Sequence, residues 1–195
     1  MGYEISINLA WRELDRLKLP GCTVCFLGEH YLIDVIGRQV KHHPGKLASQ
    51  TEADLTEADQ TETVLILHYL IGLAGEGFRP SHEWISFKET VGGKLFWPAL
   101  EKRAIKPLAL RFQQDPEGLL LALQEKLAAR RVDGADVAIE VIAFPDICIR
   151  MLFWKGEGDL PAAMSMLFDR ALTGVYCTED VAALLLEIAE MVIID

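Results

Sequence analysis

The side chains with the clearest chemical potential form an acidic segment in the last quarter of the chain. Trp154 is followed by Glu157 and Asp159, and Asp169 comes a short distance later. Carboxylates on a loop between a strand and a helix can bind a polar ligand or a cation, because the rigid elements hold the loop in place. The structural alternative, which we favour, is that Asp159 caps a helix beginning at Pro161. Glu157 is then solvated, and Asp169 pairs with a nearby base.

Histidines provide a second set of candidates. His68 is predicted to lie on the apolar face of a helix, where a hydrogen-bonded core histidine is the usual explanation. His42 and His43 are adjacent in a His-His-Pro-Gly loop, and the chain has no His-Glu-x-x-His pair, so we predict no metal site. If His68 or His82 meets the acidic loop in the fold, a carboxylate and an imidazole could perform acid–base or metal-assisted chemistry.

The pair Cys22 and Cys25 has the spacing of a redox dithiol or of half a zinc site. The surrounding residues favour a strand, in which positions three apart point to opposite faces of the sheet. Two such thiols cannot bind one metal ion, so we interpret them as structural. Cys148 and Cys177 also lie in apolar stretches, and no disulfide framework is indicated.

Glycine and serine motifs carry less functional signal. Gly72, Gly75 and Gly77 follow a predicted helix instead of a strand, and no Lys-Ser or Lys-Thr pair comes after them. They are therefore interpreted as a helix terminator and not as a phosphate-binding loop. No serine lies in a Gly-x-Ser-x-Gly motif, so nucleophilic hydrolysis has no support.

Composition excludes two classes of partner. The 195 residues include 19 basic and 29 acidic side chains, giving a formal charge of −10 that repels nucleic acid. Hydrophobic residues make up 51% of the chain, but the longest apolar runs, such as Val181–Leu186, are far shorter than the roughly 20 residues that span a bilayer. With no recognisable secretion signal, we expect a cytoplasmic protein with reduced cysteines.

These candidate residues must be positioned by helices and strands that the hydrophobic periodicity predicts. The first helix is expected to place Trp11 beside its buried stripe, and either Asp59 or Thr61 begins the second. The fourth has the clearest amphipathic pattern and ends favourably in two arginines. The third contains Pro98 in its first turn or is split by it. The predicted helices cover residues 4–18, 60–74, 94–103, 116–131, 161–172 and 178–193.

The predicted strands occur in pairs, which decides the fold class. The β-rich runs are Cys22–Leu27, Tyr31–Ile36, Glu83–Phe87, Asp136–Phe144 and Ile147–Trp154. Short turns join the first two runs and the last two, as expected of hairpins. The sequence therefore predicts a single α+β domain over residues 1–195, with a mostly antiparallel sheet of hairpins packed against about five to six helices.

Trp154–Asp180 resembles the C-terminal signature of the prokaryotic domain-of-unknown-function family 3786. It contains Trp-Lys-Gly-Glu-Gly-Asp-Leu-Pro, then Leu-Phe-Asp, then Thr-Glu-Asp. Leu67–Leu70, Trp84–Glu89 and Gly28 followed by Tyr31 are similar to the same family. The resemblance implies a bacterial or archaeal, often anaerobic, origin and, in some relatives, attachment to a cysteine-rich iron–sulfur module. It implies no established reaction.

The chain departs from the family pattern in two respects. It lacks the Cys-x-x-Cys-x-x-Cys spacing that a four-iron cluster needs. Where the family favours a second acidic residue and an aromatic before the proline, this chain has Gly158-Asp159-Leu160, with Glu157 as the nearest substitute. The departure weakens any role for paired carboxylates in this loop.

The absence of a catalytic motif, together with the resemblance, favours a non-enzymatic accessory or small-ligand-binding domain of anaerobic prokaryotic metabolism. The alternative is an enzyme that uses a carboxylate pair of the acidic loop with a histidine. A small molecule or another protein is the expected partner, the cofactor is left open, and the high apolar content leaves self-association open. The candidate ligand-binding residues are Trp154, Glu157, Asp159, Asp169 and His68.

Overall fold

The computed structural model describes residues 2–43, 55–75 and 77–193. Its helices lie mostly where the hydrophobic periodicity predicts them. They are α1 (Gly2–Leu17), α2 (Gln60–Ala74), α3 (Gly93–Leu100), α4 (Lys106–Arg111), α5 (Pro116–Lys126) and α6 (Thr178–Ile193). Asp59 begins α2 through a capping box, in which Asp59 and Glu62 each accept a hydrogen bond from the other's backbone N–H.

Two antiparallel sheets contain the strands, which confirms the predicted α+β class. The four-stranded sheet has the order β1 (Cys22–Phe26), β2 (Glu29–Asp34), β3 (Gln39–His43) and β4 (Thr56–Glu57). The five-stranded sheet has the order β5 (Trp84–Ser86), β9 (Ala163–Asp169), β8 (Ile147–Trp154), β7 (Val137–Phe144) and β6 (Ala129–Val132). Leu27 and Gly28 join β1 to β2 with positive φ angles of 50° and 84°, as a tight hairpin turn requires.

Aromatic side chains connect the two sheets and α2 in the middle of the core. The ring of Phe144, at the end of β7, stacks on Tyr69 of α2 with centroids 4.0 Å apart, and on Phe26 of β1 at 4.7 Å. The backbone N–H of Leu27 donates to the carbonyl of Ala143 at 2.8 Å, so the backbones of the two sheets also meet here. The surrounding hydrophobic cluster includes buried residues from both sheets.

The predicted helix over 161–172 is wrong. Residues Ala163–Asp169 form strand β9 between β5 and β8, and a 3-10 helix follows at Arg170–Gly174. Met164, Met166 and Phe168 are buried on one face of β9, which is the period of two that a strand requires. Pro161 begins no helix.

The helix predicted over 116–131 is too long. Helix α5 ends at Lys126, and Arg130 and Arg131 lie on β6, where they pair in register with Glu140 and Ile139 of β7. The two arginines are therefore strand residues, and Lys126 is the basic residue in the last turn of α5.

Three smaller expectations also change. Trp11 is a buried core residue of α1, only 3% exposed, and does not flank the stripe. Pro98 lies inside α3 without splitting it, and a π-helical segment, Glu101–Ile105, continues the helix into α4. His42 and His43 lie on β3 instead of in a loop. The sequence repeats Thr-Glu-Ala-Asp at 51–54 and 56–59, and the first copy lies outside the described residues.

Candidate functional site

The carboxylates of the predicted acidic site lie at opposite ends of β9. Glu157 and Asp159 are exposed in a tight turn closed by two backbone hydrogen bonds between Glu157 and Leu160. Asp169 ends the strand six residues beyond Ala163, which is about 20 Å away at the usual rise of a strand. Asp159 and Asp169 therefore do not form a catalytic pair, and Asp159 has no helix at Pro161 to cap.

Trp154 belongs to the same end of the sheet as the acidic turn. It is the last residue of β8, pairs in register with Ala163 and is 38% exposed. Its ring thus adds a partly exposed apolar surface to this end of the sheet. Ligand binding at this turn stays a prediction.

Asp169 is built into the protein as a hydrogen-bond acceptor. Its carboxylate accepts bonds from the backbone N–H and hydroxyl of Ser81 at 2.9 and 2.6 Å, and from the N–H groups of His82 and Ala171 at 2.7 and 2.8 Å. Burial acts to raise the pKa of Asp169, but these bonds outweigh it and lower the pKa below its ordinary value. The ion pair expected of Asp169 is replaced by hydroxyl and amide donors.

These bonds fix two backbone segments relative to each other. His82 has a φ angle of +59°, a conformation that non-glycine residues rarely adopt, and Asp169 holds its N–H. On the other side, the bond to Ala171 begins the 3-10 helix Arg170–Gly174. Asp169 therefore acts as a positioning residue that joins the segment before β5 to the segment after β9.

A cleft of about 860 Å³ opens between these segments and the end of α2. We call it the arginine cleft. It is lined by Ile71, Gly72, Gly75, Gly77, Arg79, Arg170, Ala171, Thr173, Gly174 and Val175. Gly75 ends α2, as the sequence predicts, and its N–H donates to the carbonyl of Ile71 at 3.1 Å. A Cβ atom at Gly72 would lie 2.7 Å from Val175, so close packing at the cleft wall requires glycine.

Two guanidinium groups give the arginine cleft its positive charge. Arg170 makes a two-pronged ion pair with Glu83 at 2.6 and 2.7 Å, which raises the pKa of the arginine. Arg79 is exposed and makes no ion pair or hydrogen bond with any residue in the described ranges. An unpaired guanidinium presents N–H donors in a fork that matches a carboxylate or a phosphate.

Sequence reasoning missed both arginines. They are far apart along the chain, and no spacing rule connects them. The only local signal is that Arg79 and Arg170 each lie within two residues of a member of the Asp169 network, Ser81 or Asp169 itself. That signal has meaning only once β9 is known to be a strand next to β5.

His68 pairs with a residue that the sequence did not single out. Its Nδ1 lies 2.8 Å from Oδ2 of Asp180, a buried residue in the first turn of α6. The same carboxylate oxygen accepts the N–H of Cys177 at 3.3 Å. His68 is therefore the hydrogen-bonded histidine that the sequence predicts, and its Nε2 is the ring atom left for other contacts.

The four cysteines are free thiols. Cys22 and Cys25 lie on β1 three positions apart, so their side chains point to opposite faces of the sheet. Burial raises the pKa of Cys22, and burial is also the main cause that raises the pKa of Cys177 to about 11. In the part of the chain that the structure describes, no group of three or more His, Cys, Asp or Glu side chains is arranged to hold a metal ion.

Residues 13–191 match the family model described as Domain of unknown function (DUF3786). The chain belongs to this family. The match runs from α1 into the last turns of α6 and includes the acidic turn and the arginine cleft. The DUF3786 description names no reaction, and no curated protein and no solved structure matches the chain. No helix in the described ranges of this DUF3786 chain is long and apolar enough to cross a membrane.

Proposed function

We propose that this DUF3786 chain is a non-enzymatic ligand-binding domain that takes a small anion in the arginine cleft. The observation that carries the proposal is Arg79, a guanidinium that lines the cleft without a partner among the described residues. The accessory role in anaerobic prokaryotic metabolism that the family resemblance implies, and the cytoplasmic location expected from the sequence, belong to the same proposal.

The electrostatics of the molecule support an anionic ligand over a neutral one. The chain carries a formal charge of −10, so two guanidinium groups in one cleft are a local exception to the average surface. Each hydrogen bond to a charged group contributes about 1.5–3 kcal/mol to the binding free energy, which offsets part of the cost of immobilising the ligand. Arg79 can form such bonds without giving up an existing ion pair, whereas Arg170 must share its guanidinium with Glu83.

The shape of the cleft also supports a small ligand. Its volume of about 860 Å³ lies within the range of small-molecule sites, which is about 300–1,000 Å³. Four of its lining residues are glycines, so a ligand can approach the backbone closely. The hydrogen bonds of Asp169 keep the Arg79 segment and the Arg170 segment in place before the ligand arrives.

Titration with inorganic phosphate and with acetate tests this proposal, with binding heat as the measurement. We expect the substitution Arg79→Gln to weaken binding about 10-fold, because it removes one charge-assisted contact. Arg12→Gln is the matched control, since Arg12 is an exposed arginine of α1 that makes no ion pair or hydrogen bond within the described ranges. Equal weakening by both substitutions, or binding that neither changes, would contradict an anion site at Arg79.

One specific observation, the His68–Asp180 pair, supports the alternative that the protein is an enzyme. A buried carboxylate that accepts the Nδ1 proton of a histidine orients the ring and makes Nε2 available as a general base. This arrangement replaces the acidic-loop pair, because Asp159 and Asp169 are too far apart. If it is correct, the wild type consumes a component of a metabolite mixture, and His68→Gln abolishes that turnover while phosphate binding persists. A wild type without turnover removes this alternative.

A further inference from the structure

A second cleft of about 500 Å³ shares Arg170 with the arginine cleft. We call it the lysine cleft. It is lined by Lys88, Glu89, Thr90, Gly92, Lys94 and Arg170. The two clefts therefore meet at Arg170, whose guanidinium is already held by its ion pair with Glu83.

The backbone around the lysine cleft is fixed independently of any ligand. Ser86 and Glu89 form a capping box around a single 3-10 turn that carries Lys88. Gly92 has a φ angle of +75°, and a Cβ at Gly93 would lie 2.0 Å from the carbonyl oxygen of Phe87, so only glycine fits this turn. Lys94 follows directly in the first turn of α3.

The charges of the lysine cleft are unequally engaged. The ammonium of Lys88 lies over the ring of Trp97, 4.1 Å from its centroid. Glu89 accepts bonds from the N–H and hydroxyl of Ser86 at 2.8 and 3.0 Å, which lower its pKa and keep it ionised. Lys94 is exposed and makes no ion pair or hydrogen bond within the ranges that the structure covers.

Together the two clefts present more positive than negative charge. Among the described residues that line the clefts, the cations are Arg79, Arg170, Lys88 and Lys94 and the carboxylate is Glu89, to which we add Glu83 as the ion-pair partner of Arg170. Four against two leaves an excess of two positive charges, and the two cations without partners, Arg79 and Lys94, lie in different clefts. A ligand with one anionic group neutralises only one of them.

We infer that the ligand is a small molecule with two separated anionic groups, one bound by Arg79 and the other by Lys94, in the two clefts that Arg170 lines in common. The inference rests on the proposed function and specifies the class of its ligand. Both anionic groups of such a ligand find a cation that has no competing ion pair. Linking the two groups makes the second contact intramolecular, so the whole ligand binds more tightly than either half.

The test compares single and paired anions on the full chain. The single anions are acetate and inorganic phosphate, and the paired anions are succinate, adipate and fructose 1,6-bisphosphate. We expect at least one paired anion to bind about 10-fold or more tightly than the matching single anion. The succinate, adipate and bisphosphate arms distinguish carboxylate from phosphate ligands and short from long spacing.

Substitutions separate the two clefts. Lys94→Gln should remove most of the advantage of the paired anion and leave the affinity for the single anion unchanged, whereas Arg79→Gln should weaken both. If the single anion binds through Arg79 and no paired anion gains affinity, the inference is wrong and the proposed function stands. If Lys94→Gln and the control Arg12→Gln have the same effect, the inference is also wrong. If no anion binds, both the inference and the proposed function fail.

Discussion

Replacing Asp169 by asparagine tests the positioning role that the structure gives this carboxylate. The substitution keeps the size of the side chain and removes its charge and one of its two acceptor oxygens. Oδ1 accepts three bonds, from both groups of Ser81 and from Ala171, and Oδ2 accepts one, from His82. The amide oxygen can replace only one of these positions, so the amide NH₂ group must face an N–H donor.

The size of the effect follows from those four bonds. If the amide oxygen keeps the position with three donors, the N–H of His82 loses its acceptor, in a backbone conformation that is already strained. Bonds to a charged acceptor contribute about 1.5–3 kcal/mol, and the remaining three become neutral and weaker. We expect Asp169→Asn to lower the free energy of unfolding by about 2–4 kcal/mol.

Urea unfolding at neutral pH measures this loss, and Asp159→Asn provides the matched control. Asp159 is exposed and makes no hydrogen bond or ion pair within the described ranges, so its substitution should change stability by less than about 0.5 kcal/mol. The slope of the transition should stay constant while the midpoint falls. If Asp169→Asn is no more destabilising than Asp159→Asn, then the carboxylate does not hold the two segments together.

Comparing the wild type with Asp169→Asn also predicts how the free energy of unfolding depends on acidic pH. The folded pKa of Asp169 is lowered, so its contribution to stability is fully present above the unfolded pKa of about 3.9 and disappears as the pH falls through the folded value. The wild type should therefore lose stability relative to Asp169→Asn as the pH falls below about 4. Parallel curves for the two proteins would contradict the hydrogen-bonded, ionised state of this group.

Three other predictions concern groups outside the Asp169 network. Burial and nearby carboxylates raise the pKa of Glu187 to about 7, so the ionisation of this carboxyl lowers the free energy of unfolding progressively from about pH 4.5 to 7. Glu187→Gln should therefore stabilise the protein by about 1–2 kcal/mol at pH 8 and have little effect at pH 4, as measured by urea unfolding at both pH values. The raised pKa of Cys177, about 11, should make its alkylation by iodoacetamide at pH 8 slower than that of free cysteine, as followed by mass spectrometry. Gly72→Ala should cost about 1–3 kcal/mol because its Cβ would meet Val175, whereas Gly174→Ala, with no atom within 4 Å of its Cβ, should be neutral in the same unfolding assay.

Local patterns were sufficient for the elements with strong periodicity. The hairpin of β7 and β8 matches the predicted runs Asp136–Phe144 and Ile147–Trp154 closely, because two runs rich in β-branched and other apolar residues, joined by a short turn, leave few other arrangements. The start of α2 was predictable to within two residues, as either Asp59 or Thr61, and the capping box of Asp59 and Glu62 in the structure selects Asp59.

Tertiary contacts decided the elements that the sequence left ambiguous. Residues 163–169 are almost continuously apolar after a proline, a pattern that suits a buried strand and a buried helix equally well. Pairing with β8 and β5 selects the strand. The candidate site depends on that choice, because the strand carries Asp169 to Ser81 and brings Arg170 into the same cleft as Arg79. No short-range rule contains this information.

The most direct test of the anion site is to locate bound inorganic phosphate by NMR, from the chemical shifts of the backbone amides of the full chain in solution. As phosphate is added, we expect saturable shifts concentrated at Gly77, Arg79, Arg170 and Gly174, and the loss of those shifts in Arg79→Gln. The control Arg12→Gln should behave like the wild type. Shifts that saturate elsewhere, or that persist unchanged in Arg79→Gln, would contradict the assignment of the arginine cleft as the ligand site.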